Sequence, residues 1–103
     1  MKMGLYMLYQ SKIKQGQEET MDNLRTEFED LYKKHNIEII GAWANEEDST
    51  ETFYLSRYEN KEDYEKKTGA LRKDTRYAEL TDKLKEVRLD SKAIRLIPKW
   101  LPE

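Results

Sequence analysis

Residues 37–58 read IEIIGAWANEEDSTETFYLSRY. Ile37 to Asn45 is rich in β-branched and aromatic residues, the cluster from Asn45 to Thr50 is wholly polar, and Thr52 to Tyr58 alternates again. The stretch therefore predicts two strands joined by a hairpin loop. Upstream, Glu18 to Lys34 places Met21, Leu24, Phe28, Leu31 and Tyr32 at spacings of three and four, the apolar stripe of an amphipathic helix. Before it, Leu5 to Ile13 reads as a strand. Downstream, Lys61 to about Arg88 is helical in pattern, and Lys92 to Ile97 alternates as a last strand closed by Pro98. The long helical stretch is expected in two pieces, broken between Leu71 and Arg76, because Asp74-Thr75 restarts a helix. The order βαββαβ predicts an α+β, ferredoxin-like domain over residues 1–103, an antiparallel sheet with helices on one face.

Such a sheet has a second face that must be wetted, filled or covered. On the first strand Leu5, Met7, Tyr9 and Ser11 point one way, and Tyr6, Leu8, Gln10 and Lys12 the other. On the third strand Phe53 and Leu55 read as an ordinary core face, while Tyr54, Ser56 and Tyr58 form a hydroxylated aromatic one. Bulky groups on both faces predict a homodimer through the open sheet face. The tyrosines are expected to pack at that interface, where Tyr is enriched, or to line a pocket enclosed by the two protomers.

Composition narrows the function classes. Charged residues make up 39% of the chain, yet the net charge is only -2. Interspersed charge of both signs argues against nucleic acid, which wants a basic face, and against a polybasic membrane anchor. RNA recognition motifs share this element order, but ETFYLSRYEN (residues 51–60) lacks their glycine and basic residues. There is no cysteine, which excludes disulfides and thiolate chemistry. No apolar run is long enough to span a bilayer, and the N-terminus lacks a signal-peptide pattern. The expectation is a cytoplasmic protein without cofactor.

Chemistry-bearing motifs are few. His35 is the single histidine, so no multi-histidine metal site is possible and none is expected. It follows Lys33 and Lys34 at the end of the first helix, where cations complement the dipole. It is expected on the surface, with a titratable group at a pocket mouth as the alternative. No phosphate loop, nucleophile elbow or zinc-protease motif occurs, and no pair of carboxylates faces an interior. Catalytic residues are therefore not identified. Tyr9, His35, Trp43, Tyr54, Ser56 and Tyr58 are the candidate pocket residues.

Five stretches, in order, resemble the NIPSNAP family of the dimeric α+β barrel group. LYMLYQSKIKQG (5–16) is similar to its opening M-Y-E-L-R-x-Y-x-L-K-P-G, and KKHNIEIIGAWAN (33–45) to its H-G-I-x-x-x-G-x-W segment. YLSRYEN (54–60) resembles L-x-R-Y-E-S, DTRYAEL (74–80) resembles D-P-x-W, and SKAIRLIP (91–98) resembles S-x-I-L-x-P. His35 and Trp43 match the pattern. Tyr9 stands where arginine is usual, Ser11 where tyrosine is usual, Met7 where an acid is usual, and Ser56 where a large aromatic is common. The resemblance implies two protomers packed sheet against sheet, and an interior less charged than the family norm. It implies no common reaction. The leading expectation is a small-ligand-binding or accessory barrel protein for an apolar or aromatic molecule. The alternatives are a cofactor-independent monooxygenase or isomerase acting on a small aromatic or polyketide-like substrate, and a structural or effector-sensing module.

Overall fold

The computed structural model describes residues 2–102. Its elements are β1 (Leu5–Ile13), α1 (Glu18–Lys34), β2 (Glu38–Asn45), β3 (Asp48–Tyr58), α2 (Lys61–Arg72), α3 (Thr75–Val87) and β4 (Arg88–Leu96). The strands form one antiparallel sheet in the order β2-β3-β1-β4, as a ferredoxin-like fold requires.

Local chemistry sets the helix ends. α1 stops at Asn36, which takes a left-handed φ of 58° while the Ile37 amide returns to the Tyr32 carbonyl at 2.9 Å. The Asn60 side chain caps α2 by accepting from the Asp63 amide at 2.8 Å, and Asp63 accepts from the Glu59 amide at 2.9 Å. The expected break in the long helical stretch falls at Lys73 and Asp74. Asp74 caps α3 by accepting from the Arg76 amide at 2.9 Å.

Two strands start earlier than the alternation predicts. β3 begins at Asp48 rather than Thr52, because the polar cluster folds as a tight turn at Glu46 and Glu47. Asn45 accepts from the Glu47 amide at 2.9 Å and Asp48 from the Thr50 amide at 3.0 Å. Their side chains satisfy the turn that a longer loop would leave to water. β4 begins at Arg88 rather than Lys92, running directly out of α3. The segment Arg88-Leu89-Asp90 has no apolar alternation, and its strand form follows from pairing with β1.

The face assignment needs correction. Tyr9 pairs with Tyr54, Met7 with Ser56 and Leu5 with Tyr58, so these side chains share a face. That face lies under the helices. Leu5, Met7 and Tyr58 belong to the buried core with Leu24, Leu31, Leu71, Leu80 and Val87. Tyr54 meets Tyr32 of α1 edge-on at 5.8 Å, and Tyr58 meets Tyr64 of α2 at 5.0 Å. The tyrosines expected at the subunit interface are thus inside the protomer. Phe53 and Leu55, read as core, face the open side with Leu8 and Ile94, which pair in one row.

The N-terminal segment closes one end of that open side. The Tyr6 hydroxyl donates to the Lys2 carbonyl, and the Arg57 guanidinium donates to the Met3 carbonyl, through Nε at 2.9 Å. Gly4 permits this approach: its φ is +144°, and a Cβ there would come within 2.5 Å of the Tyr58 carbonyl.

Candidate ligand-binding site

Between the sheet and helices α1 and α3 lies a cavity of about 380 Å³. Its existence follows from side-chain size. Bulky rings on the sheet, Tyr9 and Tyr54, alternate with the short Ser11 and Thr52, and β2 places Ala42 and Ala44 beside them on that face. Helices that rest on the rings cannot reach the alanines, so interior atoms there lack partners and space remains. Ala42 and Ala44 are exposed, which places the mouth along the β2 edge.

The helix side supplies the opposite wall. Met21, Phe28 and Tyr32 come from α1, and Tyr77, Thr81 and Leu84 from α3. Phe28 and Tyr77 meet edge-on at 6.5 Å and join the two helices across the site. Asp22, Arg25 and Arg88 add charge. Arg25 is held by Glu29 at 2.8 Å and by Asp22 at 3.7 Å.

The phenols here are donors rather than bases. Burial pushes the Tyr9 hydroxyl well above the ordinary tyrosine range, with Tyr58, Tyr64 and Tyr77 adding to the effect and Tyr32 opposing it. Burial also raises Tyr32 and Tyr54, with Glu29 reinforcing the rise at Tyr54. All three stay protonated at neutral pH. The Tyr54 hydroxyl is buried without a hydrogen-bond partner, as are the Ser56 and Tyr58 hydroxyls. Tyr58 is raised chiefly by burial and lies close to Ser56 and Tyr9, which pull the other way. None of its contacts has the geometry of a formed hydrogen bond.

The six candidate residues divide. Tyr9 and Tyr54 line the cavity from the helix-covered face, and Trp43 borders it only at the β2 edge, its pairing with Phe53 placing it on the open side. Ser56 and Tyr58 lie deeper, with relative exposures of 0% and 1%, and do not line it. Trp43 pairs with Phe53 across the hairpin and is 52% exposed. Its ring lies over Gly41, where a Cβ would come within 2.9 Å of it.

His35 stands apart from the cavity. Its Nε2 lies 2.8 Å from Asp74 Oδ2, which also accepts from Lys34 at 2.9 Å. The expected solvated helix-end residue is instead a mostly enclosed ring, with a side chain 16% exposed. It ties the end of α1 to the cap of α3. Those contacts, Lys34 first, hold the Asp74 carboxyl well below the usual carboxylate range. Among the described residues no group of three or more metal-ligating side chains converges, and no helix is long and apolar enough to cross a membrane.

Several cavity residues were not singled out from sequence. Met21, Phe28 and Tyr32 belong to a stripe read simply as the apolar face of a helix, and Tyr77 and Leu84 to a stretch read only as helical in pattern. The signal available was the pair Ala42 and Ala44, two small residues on one face of a predicted strand.

Solved structures show the same architecture at low identity. A NIPSNAP family protein from Agrobacterium tumefaciens matches with a TM-score of 0.82 at 18% identity, covering 92% of each chain. A NIPSNAP domain protein from Burkholderia xenovorans matches at 0.85 and 13%, covering 96% of this chain and 99% of that one. A Nitrosomonas europaea protein proposed as an antibiotic biosynthesis monooxygenase matches at 0.71 and 12%, covering 93% and 99%. These likenesses show the fold alone, a ferredoxin-like α+β sheet carrying its helices on one face. No curated protein matches the sequence. The NIPSNAP family profile matches residues 6–99, and with that span covering nearly all of the chain, this protein belongs to the NIPSNAP family.

Proposed function

We propose that the protein is a small-molecule-binding barrel protein whose ligand occupies the cavity between the sheet and α1–α3. The observation that carries this reading is the cavity itself. At about 380 Å³ it falls in the range of small-molecule sites, and its walls combine aromatic rings with protonated phenols, of which the buried Tyr54 hydroxyl has no partner. That is a surface for holding a planar apolar molecule and orienting it by a few hydrogen bonds. The reading includes a homodimer through the open sheet face, supported by the aliphatic row of Leu55, Leu8 and Ile94. It also includes a cytoplasmic location, which fractionation of the source cells checks.

Filling the mouth tests the site. Ala44→Phe should weaken binding of a two-ring aromatic probe by tenfold or more, about 1.4 kcal/mol. The melting temperature should stay close to wild type, because the new ring enters existing space. Unchanged probe affinity would remove the cavity from consideration.

A second reading is a cofactor-independent oxygenase acting on an aromatic substrate. The cavity is large enough, and the likeness to the Nitrosomonas europaea protein favours it. Such a reaction needs a base to make the substrate electron-rich. The buried phenols cannot serve, and among the lining residues Asp22 is the carboxylate present. Oxygen consumption with phenolic substrates, abolished by Asp22→Asn, would favour catalysis over binding.

A further inference from the structure

The sheet wall of the cavity changes character along the strands. One row runs Ala42, Tyr54, Tyr9; the next runs Ala44, Thr52, Ser11. Rings thus give way to hydroxyls towards the end where β1 meets the start of β4. There the pairing slips: Lys12 faces Asp90, but Ile13 faces Arg88. Leu89 is the extra residue of a β-bulge, and it is 63% exposed.

The bulge decides where Arg88 goes. Ile94, Lys92 and Asp90 alternate onto the open face, opposite Leu8, Gln10 and Lys12. Continued alternation would send Arg88 there too. The extra residue turns it to the other side, where it lines the cavity. Bulges commonly re-aim a side chain beside a site in this way.

Two arginines reach the cavity and only one is spoken for. Arg25 is neutralised by Glu29 and Asp22. Arg88 takes part in none of the ion pairs among the described residues. As the C-cap of α3 it complements the helix dipole, which accounts for a cation near that position but not for its turn into the cavity. An unpaired guanidinium that shares the cavity lining with the hydroxyls of Ser11, Thr52 and Thr81 is a receptor for a carboxylate, with planar donors.

We infer that the ligand is an aromatic carboxylic acid, its rings among Tyr9, Phe28, Tyr54 and Tyr77 and its carboxylate on Arg88. The inference rests on the cavity being the ligand site. Calorimetry with 2-naphthoate and the neutral isostere 2-naphthylmethanol, on the full chain, separates the two claims. The acid should bind about tenfold tighter than the alcohol, the ratio expected for a charge-assisted hydrogen bond at a partly solvated site. Arg88→Met should bring the ratio close to one, and Arg88→Lys should restore part of it. Equal affinities in wild type, or a preference that survives in folded Arg88→Met, would overturn the carboxylate assignment while leaving the cavity as a binding site. Binding of neither probe would overturn both. Should Arg88→Met not fold, salt decides on wild type. Loss of acid affinity alone at high ionic strength supports the ion pair, and equal response of acid and alcohol overturns it.

Discussion

Across the row Leu55, Leu8, Ile94 the sheet presents aliphatic side chains to its open side. One residue along the same strands, the row Ala42, Tyr54, Tyr9 presents rings and gaps to the helices. Both rows carry bulky side chains, and they differ in shape. Flat, evenly filled rows suit another flat surface, whereas tall and short side chains side by side hold helices away and leave volume. Shape separates the proposed docking face from the proposed ligand face.

The largest expected effect lies on the open face. Leu8→Glu puts a carboxylate at the centre of the aliphatic row. It should reduce the mass seen by light scattering from twice 12.4 kDa to that of one chain. It should also cost about 3–5 kcal/mol in the assembled protein, as an uncompensated buried charge does. A dimer that persists with an unchanged melt would break the comparison at its root. The matching change under the helices, Tyr54→Glu, strikes the cavity and leaves the open side unaltered.

A smaller effect belongs to the latch that holds the cavity walls together. His35→Ala removes the ring between α1 and Asp74 and should cost about 2 kcal/mol, as for a hydrogen bond to a charged group. The same latch predicts a pH dependence. Asp74 has a folded pKa below its ordinary 3.8, so its contribution is fully present above that pH and fades as pH falls below it. Asp74→Asn should therefore lower stability at neutral pH and flatten the acid limb of the stability curve. An acid limb identical to wild type would show that the latch is not formed in solution.

The smallest effect comes from one substitution made on each face. Tyr6→Phe, on the open side, deletes a hydroxyl bonded to the Lys2 carbonyl and should cost about 1 kcal/mol. Tyr58→Phe deletes a buried hydroxyl with no partner and should be neutral or slightly stabilising by urea titration. A Tyr58→Phe loss as large as that of Tyr6→Phe would reveal an ordered water beneath the sheet.

Much of the architecture was legible because it rests on local signals. The apolar stripe of α1 and the restart at Asp74-Thr75 each depend on a few adjacent residues. Which face of β1 the helices cover was not legible. Period-two alternation sorts Leu8 from Tyr9, but both are bulky, so nothing local says which side is covered. The cavity shared that fate. Tyr9 and Tyr54 drew notice as unusual strand tyrosines, whereas Tyr77 and Leu84 looked like filler until the fold brought them opposite two alanines. Arg88 was read as the end of a helix, since a bulge is defined by pairing with a distant strand.

The alternation along β1 also limits how this protein can change over evolutionary time. Neighbouring codons serve separate faces, so substitutions at Leu8 or Ile94 alter the open side while those at Tyr9 and Ser11 alter the cavity wall. A single-codon insertion or deletion in mid-strand would exchange the two sides, sending Leu8 towards the helices and Tyr9 outward. Lineages descended from this chain should therefore be free to replace residues in β1 but not to alter its length.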